Sequence, residues 1–145
     1  MTRLGDGASI IAAFVWLGMV LAISFMEAPL KFRAPGITLP LGLGIGRLVF
    51  RALNVCEAVL AVALVTSTGL GDSRAVRLPL AGVLAAVLLV QVVGVRPALD
   101  RRARAIIAGG DRTPSRGHVT YIGLEVVKVA LLVTVGLVTV SGELR

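Results

Sequence analysis

The sequence predicts an all-α integral membrane protein, a bundle of four transmembrane helices forming a single domain over residues 1–145. Three observations predict it. Hydrophobic residues make up 57% of the chain and charged residues only 16%, with a mean hydropathy of +0.94, outside the balance typical of soluble domains. The apolar residues gather into four runs, each near the ~20 residues that cross ~30 Å of hydrocarbon at ~1.5 Å per residue. The positive charges lie mainly in the stretches between those runs, where they anchor and orient spans.

The first run, approximately residues 8–26, follows Arg3 and so resembles a signal peptide. It is too long for one and lacks a small-x-small cleavage site, so it reads as a retained span. EAPLKFRAPGITLP comes next, with Pro29, Pro35 and Pro40 breaking a regular helix into a loop or a partly re-entrant hairpin. The second span covers about 45–66 and is approached through PLGLGIGRLVF. No strand precedes this GxGxG and no acidic residue follows at dinucleotide-fold spacing, so Gly42, Gly44 and Gly46 are read as hairpin flexibility or close helix contact. GLGDSR forms a turn, and Pro79 suits the first turn of the third span at about 78–95. RPALDRRARAIIAGGDRTPSRGH predicts a short surface helix to Ile107 and a Gly-Gly stop, before a fourth span at about 119–140.

The net charge of +7 would suggest nucleic acid as partner in a soluble protein; here the arginines flank spans, and no nucleic acid is expected. Lys31, Arg33, Arg96, Arg101, Arg102, Arg104, Arg112 and Arg116 lie in the first and third loops, against Arg3, Arg74, Arg77 and Arg145 on the other side. The excess places those two loops in the cytoplasm and both termini outside. The single cysteine, Cys56, excludes an intrachain disulfide and reads as a small core residue.

Several polar residues interrupt the apolar runs, and an ionised group at the bilayer centre costs at least about 2.5–3.5 kcal/mol. Glu57 follows Arg47 by ten residues and Lys128 follows His118 by ten, so each sits roughly 15 Å deep and the two are candidate partners. Arg47, Arg51, Asn54 and Glu57 form one stripe at three- and four-residue spacing; His118, Tyr121, Glu125 and Lys128 form another. Gln91 falls about 6 Å from the end of its span, and Glu27 closes the first span at the same level. These ten residues are the candidate ligand- or ion-binding set. The opposite halves of the spans are almost pure Ala, Val, Leu and Gly. The same charges have two readings: a closed network that sets helix register, or the lining of a cytoplasm-facing cavity.

His118 is the only histidine, so a bis-histidine haem or multi-histidine metal site within one chain is excluded, and no metal or other cofactor is expected. Trp16 is read as packing within the first span and Tyr121 as part of an interfacial belt. No Ser/His/Asp, Cys/His or paired-carboxylate arrangement has hydrolytic spacing.

FMEAPLKF at the end of the first span, IGRLVFRALN, VRPALDRR and RGHVTYIGLE together resemble the small four-span bacterial membrane proteins of a domain-of-unknown-function family, related to the eukaryotic transmembrane protein associated with cisplatin resistance. Phe25, Pro29, Phe32 and His118 match that family's aromatic, proline and histidine positions. Where the family continues with a small hydroxyl residue and an asparagine, this chain has Tyr121 and Glu125. The resemblance implies a four-helix membrane bundle and no particular activity. The leading functional expectation is a transport or membrane-accessory protein with a pocket for a small polar or ionic ligand, working as a homo-oligomer among membrane lipid. The alternatives are a structural or assembly subunit of a larger membrane complex, and a membrane enzyme acting on a lipid or quinone.

Overall fold

Each apolar run folds as one long helix, because the loops between them hold the strong helix terminators. The computed structural model describes residues 2–70, 74–113 and 116–143. It has four long helices, α1 (Leu4–Arg33), α2 (Leu39–Leu70), α3 (Arg74–Ile107) and α4 (Arg116–Gly142), each long and apolar enough to cross a membrane. No strand occurs among the described residues. Helix α1 packs on α2 and α4, and α3 packs on the same two, which closes a ring of four with short connections between neighbours.

All four helices run longer than the apolar stretches that define them. The first loop is reduced to residues 34–38, and the expected surface helix is the continuation of α3. The physical reason is a shared device. Pro29 lacks an N–H and its ring would crowd the preceding turn, yet α1 widens into π-helix over Leu21–Glu27 immediately before it. Helix α3 does the same over Val90–Val95 ahead of Pro97. In each case the residue before the proline reaches five residues back, Ala28 N–H to Ile23 O and Arg96 N–H to Gln91 O, and the helix continues. Pro29 therefore does not end α1, and Gln91 lies sixteen residues before the end of α3 at Ile107. Helix α3 stops where the sequence demands it: Gly109 adopts φ +90°, and Gly110 N–H bonds Ala105 O at 2.8 Å.

Of the GxGxG glycines, Gly42 and Gly46 face α1. A Cβ at Gly42 would overlap the Phe32 ring, and one at Gly46 would lie 3.0 Å from Lys31 Nζ; Gly44 faces open space. Two of the three thus serve close helix contact. The apolar core is formed by Ala12, Ala13, Trp16 and Val20 of α1 with Ala61, Leu64, Leu84, Leu88, Leu132 and Val135. Large aliphatic residues such as Val55, Val59, Val62, Leu89 and Val93 are more than half exposed, whereas Glu57, Gln91, Glu125 and Lys128 are buried. Burial of charged and amide side chains within a bundle whose outer surface is aliphatic is the reverse of what a soluble bundle shows.

The end of the bundle away from the basic loops is less apolar than its composition suggests. Asp6 and Arg77 form a buried ion pair between α1 and α3, and Ser9 Oγ donates to Ser67 Oγ at 2.8 Å between α1 and α2. Residues 71–73 of the GLGDSR turn, Arg145 and the Arg3 side chain lie outside the described residues. Removing one partner of a buried pair leaves the other charge uncompensated, at about 3–5 kcal/mol. Arg77→Met should therefore lower the Tm by roughly 10 °C or more, and Asp6→Asn combined with Arg77→Met should restore most of it, measured by thermal unfolding in detergent.

Candidate functional site

The Lys128 ammonium is the junction of a charged network that engages every helix. It donates from α4 to Glu57 Oε1 on α2, and to Glu125 Oε1, one turn earlier on its own helix, at 3.1 Å. Trp16 of α1 donates its indole N–H to the same Glu57 oxygen at 2.8 Å. Gln91 of α3 donates its amide N–H to Glu125 Oε1 at 2.9 Å. Glu57 and Lys128, which the sequence places at equal depth, are thus in contact, and both are completely shielded from solvent. Two carboxyl groups share one ammonium, and each commits one oxygen to it. Among the described residues Glu57 Oε2 and Glu125 Oε2 have no partner.

From Glu125 the structure opens toward the basic end. A cavity of about 720 Å³ lies between the four helices there, with Glu125 and Tyr121 in its wall together with Ser24, Arg47 and His118. Four buried polar atoms around it make no hydrogen bond among the described residues: Ser24 Oγ, Tyr121 Oη and Glu125 Oε2, the last two on neighbouring side chains of α4, and Arg47 Nε, which has only a long 3.9 Å contact to Asp100. Buried polar groups are nearly always satisfied, so four around one space mark a place where a polar group belongs. Ser24 lies in the widened turn of α1 and Gln91 in that of α3. Both π-helical stretches therefore carry a polar side chain of the site.

The walls are held by cation and aromatic contacts. The Phe50 and Tyr121 rings meet edge-to-face at 5.7 Å and 89°. Arg96 lies 4.8 Å from the Phe50 centroid and 5.8 Å from that of Tyr121, while Lys31 Nζ lies 5.7 Å from Phe50. Asp100 sits 3.7 Å from Arg96 and 3.9 Å from Arg47, bridging the two. With Lys31 paired to Glu27, the guanidinium groups of Arg47, Arg96, Arg102 and Arg112 line the cavity against Asp100 and Glu125, so its field is positive and suits an anion.

The ten residues singled out from the sequence do not form one site. Arg47, His118, Tyr121 and Glu125 line the cavity; Glu57, Gln91 and Lys128 form the sealed network beneath it. Glu27 is drawn off to Lys31 at 3.3 Å, one turn away, and does not balance the intramembrane charges. His118 is exposed at the start of α4. Arg51 is exposed, and with Asn54 lines a separate groove between α2 and α3. Six residues separate Arg51 from Glu57, which at ~100° per residue puts them roughly 120° apart around the helix, so they cannot share a face.

Sequence reading missed Ser24, Lys31, Phe50, Arg96 and Asp100 as parts of the cavity, and Trp16 as a donor. Trp16 had a legible signal, since a buried indole N–H needs an acceptor; Ser24, Lys31, Arg96 and Asp100 lie within or beyond π-helical turns that no pattern announced, and Phe50 depends on how α2 packs. Among the described residues no three His, Cys, Asp or Glu side chains gather as a metal site.

Replacing Lys128 by Met leaves two buried carboxyl groups facing each other without a cation. Lys128→Met should destabilise the protein by about 3–5 kcal/mol, and adding Glu57→Gln should recover a large part, read from thermal melts of the single and double variants. Comparison of the chain with protein-family models, with curated proteins and with solved structures finds no match.

Proposed function

We propose that this chain is a multi-pass membrane protein that binds a small anionic ligand in the cavity at its basic end, in the service of transport across or delivery at the membrane. The four apolar helices support the membrane assignment. The loop arginines support a cytoplasmic placement of the basic end, with both termini outside. The observation that carries the ligand reading is the set of buried polar atoms without a hydrogen bond on Ser24, Arg47, Tyr121 and Glu125 around one positive cavity. Arg47 offers an N–H donor, the two hydroxyls offer donors or acceptors, and Glu125 offers an acceptor. A carboxylate or phosphate ligand that also carries a hydroxyl or amino donor meets all four. Binding contacts then belong to these residues, while Glu57 and Lys128 hold the helices beneath them.

The sealed Glu57–Lys128 pair is also what a structural or assembly subunit would need, and the ligand experiment separates the two readings. Purified protein is melted in the presence of phosphate, succinate, citrate and glutamate. A bound ligand at 100-fold its Kd should raise the Tm by roughly 5–10 °C. Tyr121→Phe, which keeps the ring packing, and Arg47→Gln should each weaken that shift. A panel with no saturable shift overturns the ligand reading in favour of the structural one. Sidedness is tested separately: Arg112→Cys in a Cys56→Ala background should react with a membrane-impermeant thiol reagent in inverted vesicles and not in intact cells.

A further inference from the structure

A second recess lies on the outer surface, between α2 and α3, with a volume of about 730 Å³. Its floor is apolar and made of small or branched residues, Val55, Ala58 and Ala61 from α2 facing Ala85, Leu89 and Val92 from α3. Its upper end is basic. Arg51, Arg101 and Arg104 border it, all exposed and none in an ion pair among the described residues. Arg96 and Asp100 also reach it, but they are engaged with each other. Asn54 lies where the basic and apolar parts meet, and its buried Oδ1 has no partner.

The length of the groove identifies what belongs in it. Ten residues separate Arg51 from Ala61 and eleven separate Arg96 from Ala85, so the whole recess runs roughly 15 Å along both helices, half of a ~30 Å hydrocarbon core, of which the apolar floor from Val55 to Ala61 and from Val92 to Ala85 takes roughly 10 Å. An occupant must therefore present negative charge at the basic end and an apolar chain along the floor, the two together one leaflet deep. Arg51 needs such a partner on its own account. It stands on the outward face of a membrane-crossing helix with no carboxylate beside it, where an uncompensated guanidinium is costly.

We infer that the α2–α3 groove is a binding site for an anionic glycerophospholipid, its phosphate held by Arg51, Arg101 and Arg104 and one acyl chain laid along the Val55–Ala61 and Ala85–Val92 floor. Three guanidinium groups without a carboxylate favour a headgroup of net negative charge over zwitterionic choline. Basic recesses between membrane helices recognise anionic headgroups by this combination of charge and shape. The site rests on the membrane-spanning reading but not on the interior cavity having a ligand, and it shares only the Arg96–Asp100 wall with that cavity.

The test is native mass spectrometry of the full chain released from detergent with equimolar phosphatidylglycerol and phosphatidylcholine. The wild type should retain phosphatidylglycerol at least about tenfold over phosphatidylcholine, and excess inorganic phosphate should not displace it. Arg51→Gln/Arg101→Gln/Arg104→Gln should abolish the preference. Ala58→Trp, on an exposed position of the floor, should also abolish retention with every charge in place. Equal retention of the two lipids, displacement by phosphate alone, or undiminished retention by folded Ala58→Trp would each overturn the proposal. So would a dimer that phosphatidylglycerol does not dissociate and Ala58→Trp does, since a second copy would then be the occupant.

Discussion

The buried ammonium of Lys128 is the constraint on which the rest of the arrangement depends. A charge removed from water is tolerable only when its neighbours replace the lost hydration, and here the replacement comes from groups on different helices. Glu57 arrives from α2 and Glu125 from α4 itself, while Trp16 and Gln91 fasten those carboxyls to α1 and α3. A shift of any helix by one residue would move at least one of these groups out of reach. Apolar packing in a low-polarity surrounding supplies little register information, so one charged junction sets the relative height of all four helices. The Asp6–Arg77 pair repeats the principle at the opposite end, between α1 and α3.

The same junction has a one-sided opening. On one side of it lies the core of alanine, leucine, valine and Trp16; on the other the four helices surround a cavity with a positive wall. The two π-helical stretches are central to that asymmetry. They let α1 and α3 pass their prolines and continue into the basic end, and the residues they contain, Ser24 and Gln91, face the site. Widened turns insert a residue without ending the helix, which turns the following side chains relative to those before. The basic end is consequently built from helix rather than loop, and its arginines are held on rigid supports.

Arg96 and Asp100 form the partition between the interior cavity and the outer groove, lining both. Asp100 is shared by Arg47 on one side and Arg96 on the other, and Arg96 is stacked against Phe50 and Tyr121. Charge entering either space would act on the same carboxylate. That geometry places the Arg96–Asp100 pair between the two proposed sites, which otherwise have no lining residue in common.

The all-helical class, the four helices and the equal depth of Glu57 and Lys128 were determined by the sequence alone, because run length, rise per residue and the distribution of arginines are local quantities. The closing glycines of α3 were legible for the same reason. The fate of the remaining polar residues was decided only by tertiary structure. Arg51, Asn54 and Glu57 lie close in sequence, yet helical rotation sends the first two to the outer groove and the third to the core. Glu27 was lost to the nearer Lys31, and Gln91 was brought to Glu125 by the packing of α3 on α4. Which face of a helix meets its neighbours depends on all four helices packing at once, and no single stretch of sequence contains that information.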